Sequence, residues 1–178
     1  MKNFAKPQSG VALFISLVLL LVLTSIGVSS VQTTSLEVRM TRNEHDSMLA
    51  FQSAESALRD AEAVVQALVS TAGFTAGGNN GLYEGADMGV EPVFQQAAIW
   101  DAGNSRESET VVDGVASQPR YVIEHLGAVV RSENAYQIDD PYSASAADRI
   151  DIFRITARGT GGSINSQVTL QSSFGRIL

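Results

Sequence analysis

Apolar and polar positions divide this chain into three stretches of different character. From Val11 to Val31, "VALFISLVLLLVLTSIGVSSV", apolar residues dominate, and no charged residue occurs between Lys6 and Glu37. At ~1.5 Å per residue this stretch makes a helix about 32 Å long, close to the ~30 Å hydrocarbon core of a bilayer, so it is long enough to cross a membrane once. From Leu36 the positions Leu36, Met40, Met48, Phe51, Ala54, Leu58, Ala61, Val65 and Leu68 recur mainly at three- and four-residue steps, with Arg42, Glu44, Asp46, Arg59 and Asp60 off that stripe. This spacing predicts an amphipathic helix. Neither Pro nor Gly interrupts Val28 to Ala72, Glu55 and Arg59 form a favourable i, i+4 pair, and Gly73 stands where a left-handed C-terminal cap would. The expectation is one unbroken helix from Val11 to Ala72, roughly 93 Å long.

Beyond Gly73 the pattern changes. Residues 73–90 hold six glycines in eighteen positions without periodicity, which reads as a loop leaving the helix. An apolar patch, "AAIW", ends at Trp100, a core or loop anchor by type, and the polar "DAGNSRESE" comes next. Strand character dominates from Arg120. "RYVIEHLGAVV" is rich in β-branched and aromatic residues, "RIDIFRITARG" begins at Arg149, and "INSQVTLQSSF" sets Val168, Leu170 and Phe174 on one face against Gln167, Thr169 and Gln171. "GTGGS", residues 159–163, joins the last two as a hairpin loop, and the adjacent Ile152 and Phe153 break the alternation, implying a bulge or a strand covered on both faces. The sum is an α+β chain, a long helix with its stripe against a small antiparallel sheet. The polar connection 132–148, with Asp139, Asp140 and Pro141 in a turn, is a candidate partner surface.

Charge sharpens the reading of the N-terminus. The net charge of −7 conceals an asymmetry: both lysines, Lys2 and Lys6, precede Gly10, and the chain beyond Gly10 carries 10 Arg against 19 Asp and Glu, a charge of −9. So acidic a body argues against a broad nucleic-acid or anionic-lipid footprint. By the positive-inside rule Lys2 and Lys6 stay in the cytoplasm and the bulk of the chain is exported. Three fates fit residues 1–31: an ordinary signal peptide cut at a small-x-small site such as Gly27-Val28-Ser29, an uncleaved anchor, or a cut after Gly10 that leaves the apolar segment on the mature chain. A cut at Ser29 would sever the predicted helix, and Gly10, lacking a Cβ, can lie extended in a protease groove. Residues 24–35, with Gly27 and seven Ser or Thr, have weak helix propensity, though lipid enforces helix.

The chain has no cysteine, so neither disulfides nor thiolate metal sites exist. His45 and His125 have no partner spacing for nucleophilic or metal chemistry. Asp101, Asn104, Glu107 and Glu109 do not match an EF-hand pattern, and no Lys comes after "GTGGS" as a phosphate loop requires. No enzyme activity, cofactor or metal is expected.

The polar leader ending at Gly10, the apolar helix from Val11 and its amphipathic continuation resemble the class III leader and architecture of type IV pilins. "LEVRMTRNEHDSMLAFQSAESALRDAEAVV", residues 36–65, and "FRITARGTGGSINSQVTLQS", residues 153–172, resemble PilX-type minor pilins in particular. The resemblance implies the type IV pilin fold, divided into a leader (1–10) removed by prepilin peptidase, a transmembrane and filament-core half of the helix (11–35), an amphipathic half (36–72), an αβ-loop (73–119) and a sheet head with a C-terminal hairpin (120–178). It implies cleavage between Gly10 and Val11 and N-methylation of Val11. Localisation would be the inner membrane, single-pass with the head in the periplasm, and then the extracellular pilus. Partners would be other minor pilins, the major pilin, a PilY-type adhesin, prepilin peptidase and the inner-membrane assembly platform, with roles in priming pilus assembly, adhesion, aggregation and twitching motility, and the departure at the fifth mature position, Ile15, points to a place at the tip. Most pilins carry glutamate at the fifth mature position, where it pairs with a neighbour's N-terminal amine; here that position is Ile15. Val11 likewise replaces the usual phenylalanine. A minor pseudopilin of type II secretion, and a periplasmic binding domain behind an ordinary signal, are the competing readings.

Overall fold

The computed structural model describes residues 9–85, 90–130 and 149–178. The chain divides into two units, Met1–Glu44 and His45–Leu178. A single helix, α1, runs without a break from Ser9 to Ala67 and forms the described part of the first unit and the start of the second. No proline falls within it, and its internal Gly27 costs only about 1 kcal/mol of helix propensity. The helix ends five residues short of Ala72. Leu68 N–H closes a tightened last turn on the Val65 carbonyl, and Phe74 then turns into the core, 5.4 Å from the Phe153 ring. Burying an aromatic ring outweighs a few more helical residues drawn from β-branched and hydroxyl types. Gly73 is not among the glycines with positive φ, so it is not the cap its position suggested.

In the second unit the strands are β1 (Leu82–Glu84), β2 (Arg106–Glu107), β3 (Arg120–Val130), β4 (Arg149–Thr160) and β5 (Gln167–Arg176). They form one sheet in the order β1-β3-β4-β5, with β2 also paired to β3. The expected antiparallel β3-β4-β5 arrangement is present, and the sheet is mixed because the short β1 joins β3 in parallel. The interruption at Ile152 and Phe153 has its counterpart across the ladder. The register shifts between His125 and Gly127, leaving Leu126 as the extra residue and Gly127 at φ +116°, a conformation glycine adopts without strain.

Alternation along β3 and β4 gives the sheet two covered faces. Tyr121, Ile123, Phe153, Ile155 and Ala157 pack inward with Ala57, Ala61, Val65 and Phe74. Val122 faces outward under Tyr83 of β1 and under Val93 and Ile99, which two 3₁₀ turns at Val93–Gln95 and Ala97–Trp100 deliver. Trp100 thus serves as a loop anchor at the edge of this second cluster. The buried helix face is shifted from the expected stripe: Ala50, Ser53, Ala54, Ala57, Ala61 and Val65 are fully buried, whereas Leu36, Met40, Met48 and Phe51 are exposed. Small residues are required here. A Cβ on Gly159 would lie 2.3 Å from the Ala54 nitrogen and 2.5 Å from the Ala50 oxygen, so β4 and α1 meet backbone to backbone. The candidate partner surface 132–148 and leader residues 1–8 lie outside the described residues.

Candidate membrane and assembly segment

The N-terminal part of α1 contains a stretch long and apolar enough to cross a membrane, with mean hydropathy 2.8 over 18 residues and none of that window buried within the chain. Every large apolar side chain from Val11 to Val31 is exposed; Val11 is 57% and Ile15 52% accessible. Fully burying one such side chain is worth ~1.5–3 kcal/mol, so this surface requires lipid or other apolar helices around it. Four of its hydroxyls bond back to the preceding turn. Ser16 and Thr24 donate to the Leu13 and Leu21 carbonyls, and Thr33 and Thr34 to those of Ser29 and Ser30, at 2.8–3.1 Å. Residues 24–35 are helical despite their weak propensity, with the hydroxyls of Thr24, Thr33 and Thr34 bonded to helix carbonyls in place of water.

The four predicted site residues all lie on this segment. Gly10 and Val11 occupy the first turn of α1, Ile15 the next, and Gly27 the far end of the apolar run. A Cβ on Gly10 or Gly27 would meet nothing within 4 Å, so neither glycine is demanded by packing within the chain. The first carboxylate along α1 is Glu37.

The head holds itself together through polar clusters whose partners come from distant parts of the chain. Asp46 Oδ1 accepts N–H bonds from Gly162 at 2.5 Å and Ser163 at 3.2 Å, clamping the β4–β5 loop to α1. A Cβ on Gly161 would lie 2.3 Å from the Asp46 carbonyl oxygen, which accounts for the glycines of "GTGGS". On another side of α1, Asp60 accepts from the Ser108 hydroxyl and from the Thr110 N–H and hydroxyl, the latter two at 2.9 Å. Burial opposes ionisation of Asp60, but these hydrogen bonds outweigh it and hold the carboxyl below its ordinary pKa. On the outer sheet face the fully buried Glu124 receives two bonds of 2.8 Å from its cross-strand neighbour Arg154, whose guanidinium also lies 5.2 Å from the Phe94 ring centroid. The bonds to Glu124 raise the Arg154 pKa against the effect of burial. Sequence reasoning missed these residues because their partners lie 30 to 117 positions away.

In each of these clusters the charged groups are already paired within the chain. A groove of about 440 Å³ beside Trp100 contains Arg120 and Arg158, but Arg120 is engaged by Ser105 and Glu107, and Arg158 by Gln167 and the Trp100 ring. His125 pairs with Asp151 at 2.8 Å between Phe74 and Phe153, while His45 is exposed on α1. Among the described residues no three His, Asp or Glu side chains gather as a metal site; Glu107 pairs with Arg120, and Asn104 donates to the Ala98 carbonyl.

Comparison with protein families separates the competing readings. The PilX N-terminal family matches residues 9–59, and the family described as type IV pilus assembly protein PilX C-term matches residues 50–176, well over half the chain. The chain belongs to the PilX family of type IV pilus assembly proteins. No curated protein and no solved structure matches it. The two PilX matches overlap at residues 50–59, where α1 first packs on the sheet. A long apolar-to-amphipathic helix followed by a small mixed sheet is the type IV pilin α+β fold.

Proposed function

We propose that this PilX-family chain is a non-enzymatic minor pilin that primes pilus assembly and occupies the tip. In this reading prepilin peptidase cuts between Gly10 and Val11, the Val11 amine is methylated, and the chain waits in the inner membrane with its head in the periplasm. Extraction into the filament then exchanges lipid for neighbouring helices around residues 11–35. Ile15 carries the tip assignment. In the pilin arrangement each subunit's fifth-position glutamate meets the amine of a neighbour, and an amine buried without a counter-charge costs several kcal/mol. A subunit with Ile15 offers no acid to a subunit ahead of it, yet its own Val11 amine can meet the acid of the subunit behind, which suits the first place in a filament.

Other minor pilins, the major pilin, a PilY-type adhesin, prepilin peptidase and the inner-membrane assembly platform are the proposed partners, with adhesion, aggregation and twitching motility as consequences. The unbroken helix through Gly27 and Ser29 supports retention of the apolar segment over a signal-peptide cut there. The PilX matches favour the pilus over a type II pseudopilus. Deleting the gene tests this: loss of surface pili with normal exoprotein release supports the proposal, whereas normal piliation with a secretion defect refutes it.

A further inference from the structure

Just beyond its apolar stretch, α1 carries two arginines on one face and two glutamates on the other. Arg39, Arg42, Glu37 and Glu44 are all exposed. At ~100° per residue the arginines lie about 60° apart and the glutamates about 20° apart, with the two pairs on opposite sides of the helix. No arginine here stands four residues from either glutamate, the step that ties Glu55 to Arg59 lower in the same helix. Asp46, four residues beyond Arg42, accepts from the Gly162 and Ser163 amides instead. Among the described residues neither Arg39 nor Arg42 pairs with a carboxylate.

Height along the helix matters as much as side. With the apolar stretch ending at Val31 in the hydrocarbon core, as proposed above, the Arg39 and Arg42 Cα atoms stand ~12 and ~16 Å beyond it at ~1.5 Å per residue. A long helical side chain covers the turn N-terminal to its own Cα, ~5 Å back, and here that direction leads toward the bilayer. The guanidiniums thus reach ~7 and ~11 Å past the core, the first inside the ~5–8 Å headgroup layer and the second just above it. Below them the same face continues by three- and four-residue steps through Val38, Ser35, Val31 and Val28, whose valines are all exposed.

We infer that Arg39 and Arg42 hold the headgroup of an anionic phospholipid in the leaflet nearest Val31, with its acyl chain along Val31 and Val28; this rests on the membrane residence proposed above. Two guanidiniums one turn apart offer forked N–H donors to phosphate oxygens. Glu37 and Glu44 repel the same headgroup, which confines the lipid to one side of the helix. The charge of −9 beyond Gly10 opposes a broad anionic footprint, whereas this site is local, two arginines on one face. Lipid headgroups adjoin that face whenever the chain is in a bilayer. Pairing of the arginines with the glutamates of a second copy suits it less, because opposite faces make a head-to-tail contact that does not close.

The chain has no cysteine, so Ser35→Cys places a single fluorophore on the arginine face and Thr33→Cys one on the glutamate face at similar height. The full chain is reconstituted in phosphatidylcholine vesicles and titrated with nitroxide-labelled phosphatidylglycerol or, in parallel, nitroxide-labelled phosphatidylcholine. At Ser35 the anionic lipid quenches at a mole fraction at least about fivefold lower than the zwitterionic one, and at Thr33 the two quench alike. Arg39→Gln/Arg42→Gln abolishes the preference and Arg39→Lys/Arg42→Lys keeps most of it; Lys2 and Lys6 are common to every variant, so the difference reports the arginine pair. Equal preference on both faces, or preference that survives Arg39→Gln/Arg42→Gln, overturns the inference. Energy transfer between labelled copies that Glu37→Gln/Glu44→Gln and Arg39→Gln/Arg42→Gln both abolish, without lipid preference, overturns it in favour of a second copy. A chain that alkaline carbonate strips from the vesicles overturns the membrane residence itself and the inference with it.

Discussion

Replacing Gly159 with alanine tests the claim that α1 and β4 meet through their backbones. The new methyl would stand 2.3 Å from the Ala54 nitrogen, 2.5 Å from the Ala50 oxygen and 2.9 Å from the Ala54 Cα. Ordinary contact begins near 3.4 Å, so helix and strand must separate by roughly 1 Å, and the separation loosens Ala50, Ala54 and Ala57, all fully buried. Overpacking in a dense core costs about 1–3 kcal/mol; contact with backbone on three atoms puts Gly159→Ala near the upper end. At ~2–4 °C per kcal/mol the unfolding midpoint falls by about 6–12 °C, measured by near-ultraviolet circular dichroism of the full chain in detergent micelles. Because the obstacles are backbone atoms, trimming the facing side chain by Ala54→Gly does not restore stability. A Gly159→Ala protein that melts within about 1–2 °C of the parent, or one rescued by Ala54→Gly, would refute the backbone-contact argument.

Three further outcomes rest on the polar clusters and the apolar segment. Arg154→Leu strands the fully buried Glu124 and destabilises by about 3 kcal/mol, while the double change Glu124→Leu/Arg154→Leu recovers most of that loss, as a double-mutant denaturation cycle would read out. Because the folded-state pKa of Asp60 lies below its ordinary 3.8, its stabilisation is complete above that value and disappears as pH falls through the lower folded-state value; Asp60→Asn flattens this acid limb in an unfolding-versus-pH titration. Ile15→Glu restores the pilin acid, and the proposed tip role predicts that labelled protein then spreads along pilus shafts under immunogold microscopy instead of remaining at ends; unchanged end labelling counts against the role given to Ile15.

The parts of this fold written in local periodicity were legible in advance. β3 occupies Arg120–Val130 as its composition implied, and β5 alternates exposed Gln167, Thr169 and Gln171 with half-buried Val168, Leu170 and Phe174. The apolar run likewise announced a helix able to cross a membrane. What sequence misplaced was governed by tertiary contact. Leu36, Met40, Met48 and Phe51 fit a helical stripe, yet the helix meets the sheet only from about Ala50 onward and through alanines, because the bare backbone of Gly159 and Gly161 lets strand and helix approach so closely. The helix end at Ala67 was hidden because Phe74, seven residues later, sets it by entering the core. The Glu124–Arg154 pair was not foreseen, since nothing in either strand states that the two residues face each other across the ladder. For the apolar segment, the expectation named Gly10, Val11, Ile15 and Gly27, and the structure adds that Val11 and Ile15 are exposed and that neither glycine is packed against another part of the described chain.

The account depends on the apolar helix remaining joined to the head. Intact-mass spectrometry of the protein recovered from membranes and sheared pili tests this most directly. A chain starting at Val11, with the mass of one added methyl group, is the predicted result. A product starting near Ser30 would contradict it, because such a chain has lost the apolar segment that serves as membrane anchor and filament core.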